Sequence, residues 1–448
     1  MTKRQMFYLF NFLVLAFTVW AGLVDDDREW KGYQKEYKRL EVERFADALN
    51  KATAPEEKDA LTVQLKAAKR QGYAIKQAMA PALNRYDRCV TCHQGFDPLT
   101  NPTLVNSYKE HPFKAPEVEA HKTHNLVKFA CTSCHMGQGL ATTVADAHGE
   151  VAHWEEPMLK GAYLQASCVR CHANFEKLPG AAAAKHGKEL VKKLGCVGCH
   201  SFNGVGGEIS VDLGDIADKP VSRIDWAHTG DGPPDAHGVS ALPKHKRSIK
   251  NWIELHFTKD TLEIVPGDPE GHQCAPGAKC EPVPPSGMPP FFKELSKEDA
   301  AAITAYLMGQ TDNKVPSNYY VYQAPEPEPK FANAVKHGEH VFQKYGCAGC
   351  HGEGGKQGRR NFNAKGNEQT KMEEGVEPTL VKVVGGYSRD ELREKIQKGV
   401  PASAVAKFKE EGPVPPLYMP KWGEKIKGEE LEHLMDYLFS VAEKTESW

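Results

Sequence analysis

Residues 194–200 read Leu-Gly-Cys-Val-Gly-Cys-His, and a closely similar run, Tyr-Gly-Cys-Ala-Gly-Cys-His, occupies residues 345–351. Both runs contain the pattern Cys-x-x-Cys-His, which the chain repeats five times. The copies are Cys89/Cys92/His93, Cys131/Cys134/His135, Cys168/Cys171/His172, Cys196/Cys199/His200 and Cys347/Cys350/His351. Ten of the 12 cysteines therefore belong to one repeated motif, and this motif decides how the chain is interpreted.

The spacing within the motif predicts covalent attachment of haem c. Two thiols three positions apart can add to the two vinyl groups of a haem, and the next histidine then lies beneath the iron as its proximal ligand. Structural zinc sites use paired Cys-x-x-Cys units without an invariable following histidine, and a redox Cys-x-x-Cys normally occurs once. We therefore expect five haem c groups, each with iron as its metal.

Composition places the chain among exported proteins with one membrane anchor. The formal net charge is −2, from 57 basic and 59 acidic side chains, which excludes a nucleic-acid binder. Met6–Val24 is an uncharged apolar run long enough to span a bilayer. Lys3 and Arg4 precede it and three aspartates follow, so residues 1–25 are predicted to anchor the chain in a bacterial inner membrane with the rest in the periplasm. A cleaved signal peptide is the alternative.

The motif spacing divides the remainder of the chain. We expect a charged helical stalk or docking segment over residues 26–80, and a compact trihaem domain over 81–180. A haem domain with a long insertion follows over 181–311, then a Pro-rich linker over 312–332 and a second haem domain over 333–448. The predicted fold class is mainly α with extensive coil.

The last two motifs have a distinctive setting. In the first, HGKELVKK (186–193) leads into the motif, Ser-Gly-Met-Pro-Pro follows at 286–290, and 296–308 is a helix capped by Ser296. In the second, 337–345 precede the motif, Tyr-Met-Pro lies at 418–420, and 428–441 forms the closing helix. Both regions resemble class I cytochrome c domains. The resemblance implies His/Met ligation, with Met288 opposite His200 and Met419 opposite His351, whereas Met308 and Met435 are interpreted as core residues.

The N-terminal part resembles multihaem cytochromes of bacterial respiratory chains, of the kind found with quinol-oxidising bc-type or alternative complexes. The stretches that carry this resemblance are His-Asn-Leu-Val-Lys-Phe-Ala before the second motif, and 137–157 after it. It implies bis-His ligation. Five histidines exceed the three distal positions: His124, His148 and His153 are preferred, and His111 and His121 are the reserves. Met79, Met136 or Met158 could replace one of them.

Two cysteines lie outside the motifs. Cys274 and Cys280 occupy a Pro/Gly-rich segment before Met288, and an oxidising compartment favours a disulfide between them. Free thiols or a metal pair remain open. The histidines of the insertion are interpreted as surface or structural residues, with a metal cluster as the alternative: His228, His237, His245, His256 and His272.

The leading hypothesis is a non-catalytic electron-transfer subunit of a respiratory membrane complex. Electrons would enter at the bis-His haems and leave through a His/Met haem to a soluble or membrane-bound acceptor. A haem enzyme such as a nitrite reductase or peroxidase needs an open iron position, and no catalytic residue is assigned because all five motifs end in His. An extracellular haem filament is the third hypothesis, which the apolar segment disfavours.

Overall fold

The computed structural model describes residues 1–95, 124, 126–152, 154–231, 240–267, 285–312, 315–324, 329–361, 375–400 and 417–443. The chain divides into two compact units, Met1–Leu159 and Lys160–Trp448. The predicted fold class is confirmed: helices and extensive coil dominate, and the strands of the described residues form two short antiparallel pairs.

The first unit begins with a helix that is long and apolar enough to cross a membrane. Its helices and strands are α1 (Lys3–Asp26), α2 (Glu29–Lys51), α3 (Pro55–Arg70), β1 (Ala78–Ala80), β2 (Arg85–Asp87), α4 (Leu126–Phe129), α5 (Thr132–His135) and α6 (Val144–Ala147). Helix α1 has a mean hydropathy of 2.0, and none of that apolar window is buried within the chain. Its charged neighbours α2 and α3 pack against each other.

Helix α2 also packs against the first haem motif. The buried Gln34 side chain donates hydrogen bonds to the carbonyls of Ala74 (2.7 Å) and Thr91 (2.8 Å). Trp30 and Tyr37 on the same helix are buried. The predicted stalk or docking segment therefore uses Trp30, Gln34 and Tyr37 for packing within the unit.

The second unit contains α7 (Ala166–Cys171), α8 (Ala182–Lys193), β3 (Ser201–Phe202), β4 (Val205–Gly206), α9 (Ile249–Thr258), α10 (Thr261–Ile264), α11 (Lys297–Leu307), α12 (Ala334–Lys344), α13 (Ala348–His351), α14 (Leu380–Val383), α15 (Arg389–Lys398) and α16 (Gly428–Val441). The predicted capping of α11 is confirmed. Ser296 and Asp299 exchange side-chain and backbone hydrogen bonds, which satisfies donors of the first turn.

The same helix crossing occurs twice in this unit. Helix α8 packs on α11 and α12 packs on α16, each with a glycine at the contact. A Cβ atom on Gly187 would lie 2.0 Å from the Ala302 carbonyl oxygen, and one on Gly338 would lie 1.9 Å from that of His433. Only glycine permits so close an approach of two backbones. Each crossing brackets one of the last two haem motifs, as the sequence pattern predicts.

The third motif packs in the second unit rather than ending the first. On α7, the Arg170 guanidinium donates to the Met308 carbonyl at the end of α11 (3.1 Å). Downstream, the Phe175 ring stacks on Tyr306 with centroids 6.1 Å apart. This motif was predicted to belong with the first two over 81–180, because the three motifs follow one another at short spacing along the chain. The compact units divide at Leu159 instead, since α7 lies against α11.

The linker is fixed to the third motif. Val321 N–H donates to the Cys171 carbonyl (2.7 Å), and Ala173 N–H donates to the Val321 carbonyl (2.9 Å). A short parallel bridge between His172 and Val321 results. This part of the predicted Pro-rich linker is therefore ordered against a haem motif.

Candidate haem sites

The proximal histidines of the last two motifs are oriented by backbone carbonyls. His200 Nδ1 lies 2.8 Å from the Val211 oxygen, and His351 Nδ1 lies 3.0 Å from the Pro378 oxygen. A carbonyl only accepts, so each Nδ1 carries the proton and each Nε2 keeps its lone pair. This is the tautomer that binds a metal through Nε2.

A carboxylate that the sequence analysis missed fixes the carbonyl that orients His200. Asp212 accepts hydrogen bonds from the Ser201 hydroxyl (2.6 Å) and from the Gly204 and Gly214 amides (2.8 and 2.6 Å). These bonds, led by that from Ser201, lower the pKa of Asp212 to about 2. The loop that presents Val211 is thereby held next to the motif. A single aspartate in a polar loop gives no signal of this role in the sequence.

An apolar cavity lies between the fifth motif and Met419. Its lining includes Cys347, Cys350 and His351 on the motif side. Met419 and Pro420 line the same cavity from the loop before α16, together with apolar residues such as Trp422. Two thiols, an imidazole nitrogen and a thioether around an apolar cavity are the donor set of a c-type haem with His/Met ligation.

Met288, Met308 and Met435 occupy different surroundings. Met288 is partly buried, its amide donates to Ser286 Oγ (3.2 Å), and its carbonyl accepts from the Thr261 hydroxyl (2.7 Å). Met308 and Met435 are fully buried on helices α11 and α16, in agreement with core roles. The ligand roles of Met288 and Met419 stay predictions.

The last two motifs touch each other. A Cβ atom on Gly346 would lie 2.1 Å from the Gly198 nitrogen, so the two motif backbones are in direct contact. The side chains of Cys199 and Cys350 are hydrogen-bonded to each other. Burial raises the pKa of Cys196 and of Cys347 to about 12, which keeps these thiols neutral.

Arginines of the last domain hold this contact together. The buried Arg359 pairs with Glu294, donates to the Ala348 carbonyl (3.2 Å) and lies over the Phe291 ring. Its neighbour Arg360 forms a two-pronged ion pair with Asp260 at 2.9 and 3.0 Å. Both acidic partners belong to the preceding domain, so the Pro-rich linker does not leave the two domains apart.

The comparison with known protein families decides the identity of this unit. The family described as cytochrome c matches residues 184–311 and 335–442, just over half of the chain. The chain belongs to the cytochrome c family. Searches of curated proteins and of solved structures found no match. The two cytochrome c domains coincide with the two helix crossings described above, and their haem c binding is the property of the family.

In the first unit the first two motifs touch in a related way. Oxygen and sulfur atoms of Asp87, Cys89 and Cys131 all lie within 4.8 Å of one another, and the two thiols are hydrogen-bonded. The buried Asp87 carboxylate accepts from the amides of Cys131 and Thr132, both at 2.6 Å. Asp87, which lies two residues before the first motif, thus anchors the second motif.

Cys134, the other cysteine of the second motif, does not belong to this group of close ligand atoms. The two cysteines of a motif have equivalent predicted roles, but Cys131 and Cys134 occupy different surroundings in the structure. Cys131 immediately precedes α5 and reaches Cys89, whereas Cys134 lies within that helix and is partly buried. The pKa of Cys131 is raised first by its hydrogen bond with Cys89, then by burial, and also by the neighbouring Cys134. The thioether roles of Cys131 and Cys134 alike stay predictions.

One of the preferred distal histidines lies close to a proximal histidine. The rings of His93 and His148 have centroids 6.4 Å apart. Two imidazoles on opposite sides of one metal place their ring centres about 6 Å apart, since each metal–nitrogen bond is about 2.0 Å. Burial, followed by the nearby His148 and His135, lowers the pKa of His93. Neutral imidazole is the form that binds iron.

His124 and His135 are two further histidines of this region that the structure describes. His124 stacks on Phe129 with centroids 4.8 Å apart. Burial lowers the pKa of His135, against an opposing hydrogen bond from its imidazole to the Leu159 backbone carbonyl. Outside the described residues lie His111, His121, His153, Cys274 and Cys280, and the predictions made for them are untested.

Proposed function

We propose that this chain is a membrane-anchored pentahaem cytochrome that carries electrons from a quinol-oxidising membrane complex to an acceptor in the periplasm. The observation that carries the proposal is the contact between motifs in pairs. Cys89 meets Cys131 in the first unit, and Cys199 meets Cys350 in the second. Because each thioether fixes a haem edge at its sulfur, touching cysteines bring two haem edges together.

The route within the second unit follows from its packing. The third motif packs on the closing helix of the first cytochrome c domain, and that domain's own motif contacts the motif of the second. A bound haem accepts or releases one electron at its iron. The chain contributes a fixed order of attachment points, from the third motif to the fourth and then the fifth.

The outlet is the fifth haem, held by His351 and Met419. A thioether ligand stabilises the ferrous state and raises the potential relative to a second imidazole. Electrons supplied one at a time from a two-electron quinol, whose two protons are released at the partner subunit, would therefore collect at this site. A difference of ~59 mV already gives a tenfold preference for a one-electron couple.

Methionine 419 offers a direct test. In Met419→His the haem stays attached but its potential falls, so its equilibrium share of the electrons in the partly reduced protein should fall tenfold for each ~59 mV lost. Met435→Leu, a buried methionine of the same domain, is the matched control and should keep the wild-type electron distribution. Haem content by intact mass should be five in all three proteins.

Three results would count against the proposal. Equal electron distributions in partly reduced Met419→His and wild type would remove the fifth haem as the preferred electron site. Rapid carbon monoxide binding by the native reduced protein would reveal an open iron and favour an enzyme. Quinol-dependent reduction should require subunits that co-purify from gently solubilised membranes, and recovery of this polypeptide alone would contradict the assignment to a complex.

A further inference from the structure

Two histidines lie at the helix crossing of the last cytochrome c domain. His337 is near the start of α12 and His433 is in the middle of α16, and their Nδ1 atoms are 2.8 Å apart. Their rings meet edge to face, with centroids 4.9 Å apart and planes at 69°. Gly338, the next residue after His337, is the glycine on which a Cβ atom would lie 1.9 Å from the His433 carbonyl oxygen. The two imidazoles therefore join the helices where their backbones meet.

The equivalent crossing of the first cytochrome c domain is built differently. There His186 precedes Gly187, and the carbonyl that meets this glycine belongs to Ala302 rather than to a histidine. His186 Nε2 lies 2.6 Å from Asp299 Oδ1 on the closing helix instead. A carboxylate partner is compatible with a charged imidazole, whereas the second imidazole in the last domain is not. The two crossings should therefore respond to acid in opposite directions.

The hydrogen bond between His337 and His433 limits the number of protons that the pair can hold. One Nδ1 must donate and the other must accept, so at least one of the two rings keeps a lone pair on Nδ1 and is neutral. If both rings were charged, two N–H groups would face each other and two positive charges would lie in contact. The closed crossing thus holds at most one charged imidazole of the pair.

An aromatic ring fixes the position of this pair. Phe331 stacks on His337 with centroids 4.6 Å apart and planes at 10°, and it also contacts His340 with centroids 5.0 Å apart. His337 and His433 are both partly buried. A ring that is stacked on one face and hydrogen-bonded at its edge cannot turn Nδ1 away without losing both contacts.

The charges around the pair leave its limit in place. Glu429 Oε1 lies 3.7 Å from His433 Nε2 and favours a first charge there, although its side chain is 79% exposed. Most ionisable side chains of the two helices and of the elements packed against them have partners: Lys336 with Glu339, Lys344 with Glu430, Lys193 of α8 with Glu353, and Arg389 and Arg393 of α15 with Glu432 and Asp436.

Three further groups complete these surroundings. Lys192 of α8 and Lys382 of α14 add positive charge, and Tyr437 of α16 is neutral because burial raises its pKa. A carboxylate on the Nε2 side, such as Glu429, cannot relieve the contact of two N–H groups on the Nδ1 side.

Both helices also line the cavity of the fifth motif. Phe342 on α12 and Leu434 and Leu438 on α16 belong to its lining, and Leu434 follows His433 directly. Opening of the crossing would therefore loosen the wall of the cavity that Met419 lines from the opposite loop.

We propose that His337 and His433 form a proton-sensitive clasp, which keeps the crossing of α12 and α16 closed while at most one of the two imidazoles is charged and releases it when both are charged. A histidine of an open segment is charged below a pH of about 6.5. The open crossing then binds one proton more than the closed crossing, so acid favours opening, and the opening constant approaches a tenfold rise per pH unit.

The consequence for electron flow rests on the proposed function, in that the fifth motif carries a haem. Protons released by quinol oxidation at the partner subunit would acidify the surroundings of the chain. The clasp would then weaken the site at which the electrons leave, and electron flow would slow as protons accumulate.

Amide hydrogen exchange of the full-length protein measures the opening of each helix separately. Between pH 6.5 and 5.0, after correction for the pH dependence of free peptides, the opening constant of the α12 and α16 peptides should rise by up to about 30-fold in the wild type. The α8 and α11 peptides, from the crossing with the His186–Asp299 pair, are the internal control and should show no rise.

Two substitutions test the pair itself. His433→Asn and His337→Asn each keep a hydrogen-bonding amide near the position of Nδ1 but cannot gain a charge, so most of the rise should disappear in both. Burial foremost lowers the pKa of His340, so this histidine also takes up a proton on opening and leaves a smaller rise in both variants. His245→Asn, at an exposed histidine of the first cytochrome c domain, should keep the wild-type profile.

The same rise in both variants as in the wild type would overturn the clasp, and so would equal profiles of the two crossings in the wild type. The second comparison needs no substitution, so it decides the question even where a variant does not fold. Peptide mass spectrometry separates this failure from a failure of the proposed function. A haem-free Cys347/Cys350 peptide in the wild type would overturn the link to electron flow, while the exchange profiles still decide the clasp.

Discussion

The contact between the fourth and fifth motifs can be tested with two alanine substitutions that differ in one respect. Gly346 and Gly354 lie eight residues apart in the last domain, with φ of 68° and 63°. Alanine at either position must adopt the left-handed region at a cost of about 1–2 kcal/mol. At Gly354 the nearest atom to the new methyl is the Tyr437 hydroxyl at 3.5 Å, an ordinary contact.

Gly346→Ala carries a second cost. Its methyl would lie 2.1 Å from the Gly198 nitrogen and 2.7 Å from Gly198 Cα, and backbone cannot yield as a flexible side chain does. Overpacking of this kind costs about 1–3 kcal/mol. We therefore expect Gly354→Ala to lose about 1–2 kcal/mol and Gly346→Ala about 2–5 kcal/mol of unfolding free energy.

The assay follows the last domain specifically. Loss of the methionine-to-iron band during guanidinium titration reports the cavity lined by Met419, and electron exchange between the fourth and fifth haems after photoreduction reports their spacing. Gly346→Ala should slow the exchange, whereas Gly354→Ala should keep the wild-type rate. Equal stability losses together with equal exchange rates in the two variants would show that the motifs are not in contact.

Three further outcomes are expected. Asp87→Asn removes a charged acceptor from two amides of the second motif and should lower the free energy of unfolding by about 2 kcal/mol or more in a urea titration. Asp59→Asn on exposed α3 is the control and should leave that free energy unchanged. Equal losses in the two variants would contradict the anchoring role. The Arg360 guanidinium is the main cause that lowers the pKa of Asp260. The stabilisation by this ion pair is therefore present above the unfolded pKa of about 3.9 and is lost as pH falls below it. Arg360→Gln should lose less stability on acidification than the wild type, and parallel pH profiles of the two proteins would refute this. His148→Leu should convert one haem to the high-spin form in the electron paramagnetic resonance spectrum, with His245→Leu unchanged, and an unaltered spectrum would exclude His148.

Local patterns made much of the fold predictable. Helix α16 has the predicted bounds, 428–441, and Ser296 caps α11 through Asp299 as expected. These features depend on residues within one or two turns, which sequence periodicity and capping preferences describe well. The cytochrome c domains were likewise recognisable, because their motif, loop and closing helix occur in a fixed order.

Long-range contacts were not predictable in the same way. Asp87 binds amides 44 and 45 residues away, and Arg360 reaches Asp260 across 100 residues. No local pattern marks such partners. The third motif was grouped by chain spacing with the first two, but its position depends on how α7 meets α11. His256 was interpreted as a surface or structural residue, and its bond to the Trp252 carbonyl agrees with a structural role.

The paired motifs show that the potential of a haem and its distance from the next haem depend on different residues. Distal ligands set the potential of each haem, whereas the cysteines set the distance between haem edges. In the first unit the thiols of Cys89 and Cys131 lie within 4.8 Å of each other, and a buried carboxylate, Asp87, holds the second motif there. In the second unit the buried Arg359 binds the Ala348 carbonyl of the fifth motif. Exchange within each pair should therefore stay fast whichever ligand occupies the sixth position, and only the direction of flow should depend on the distal ligands.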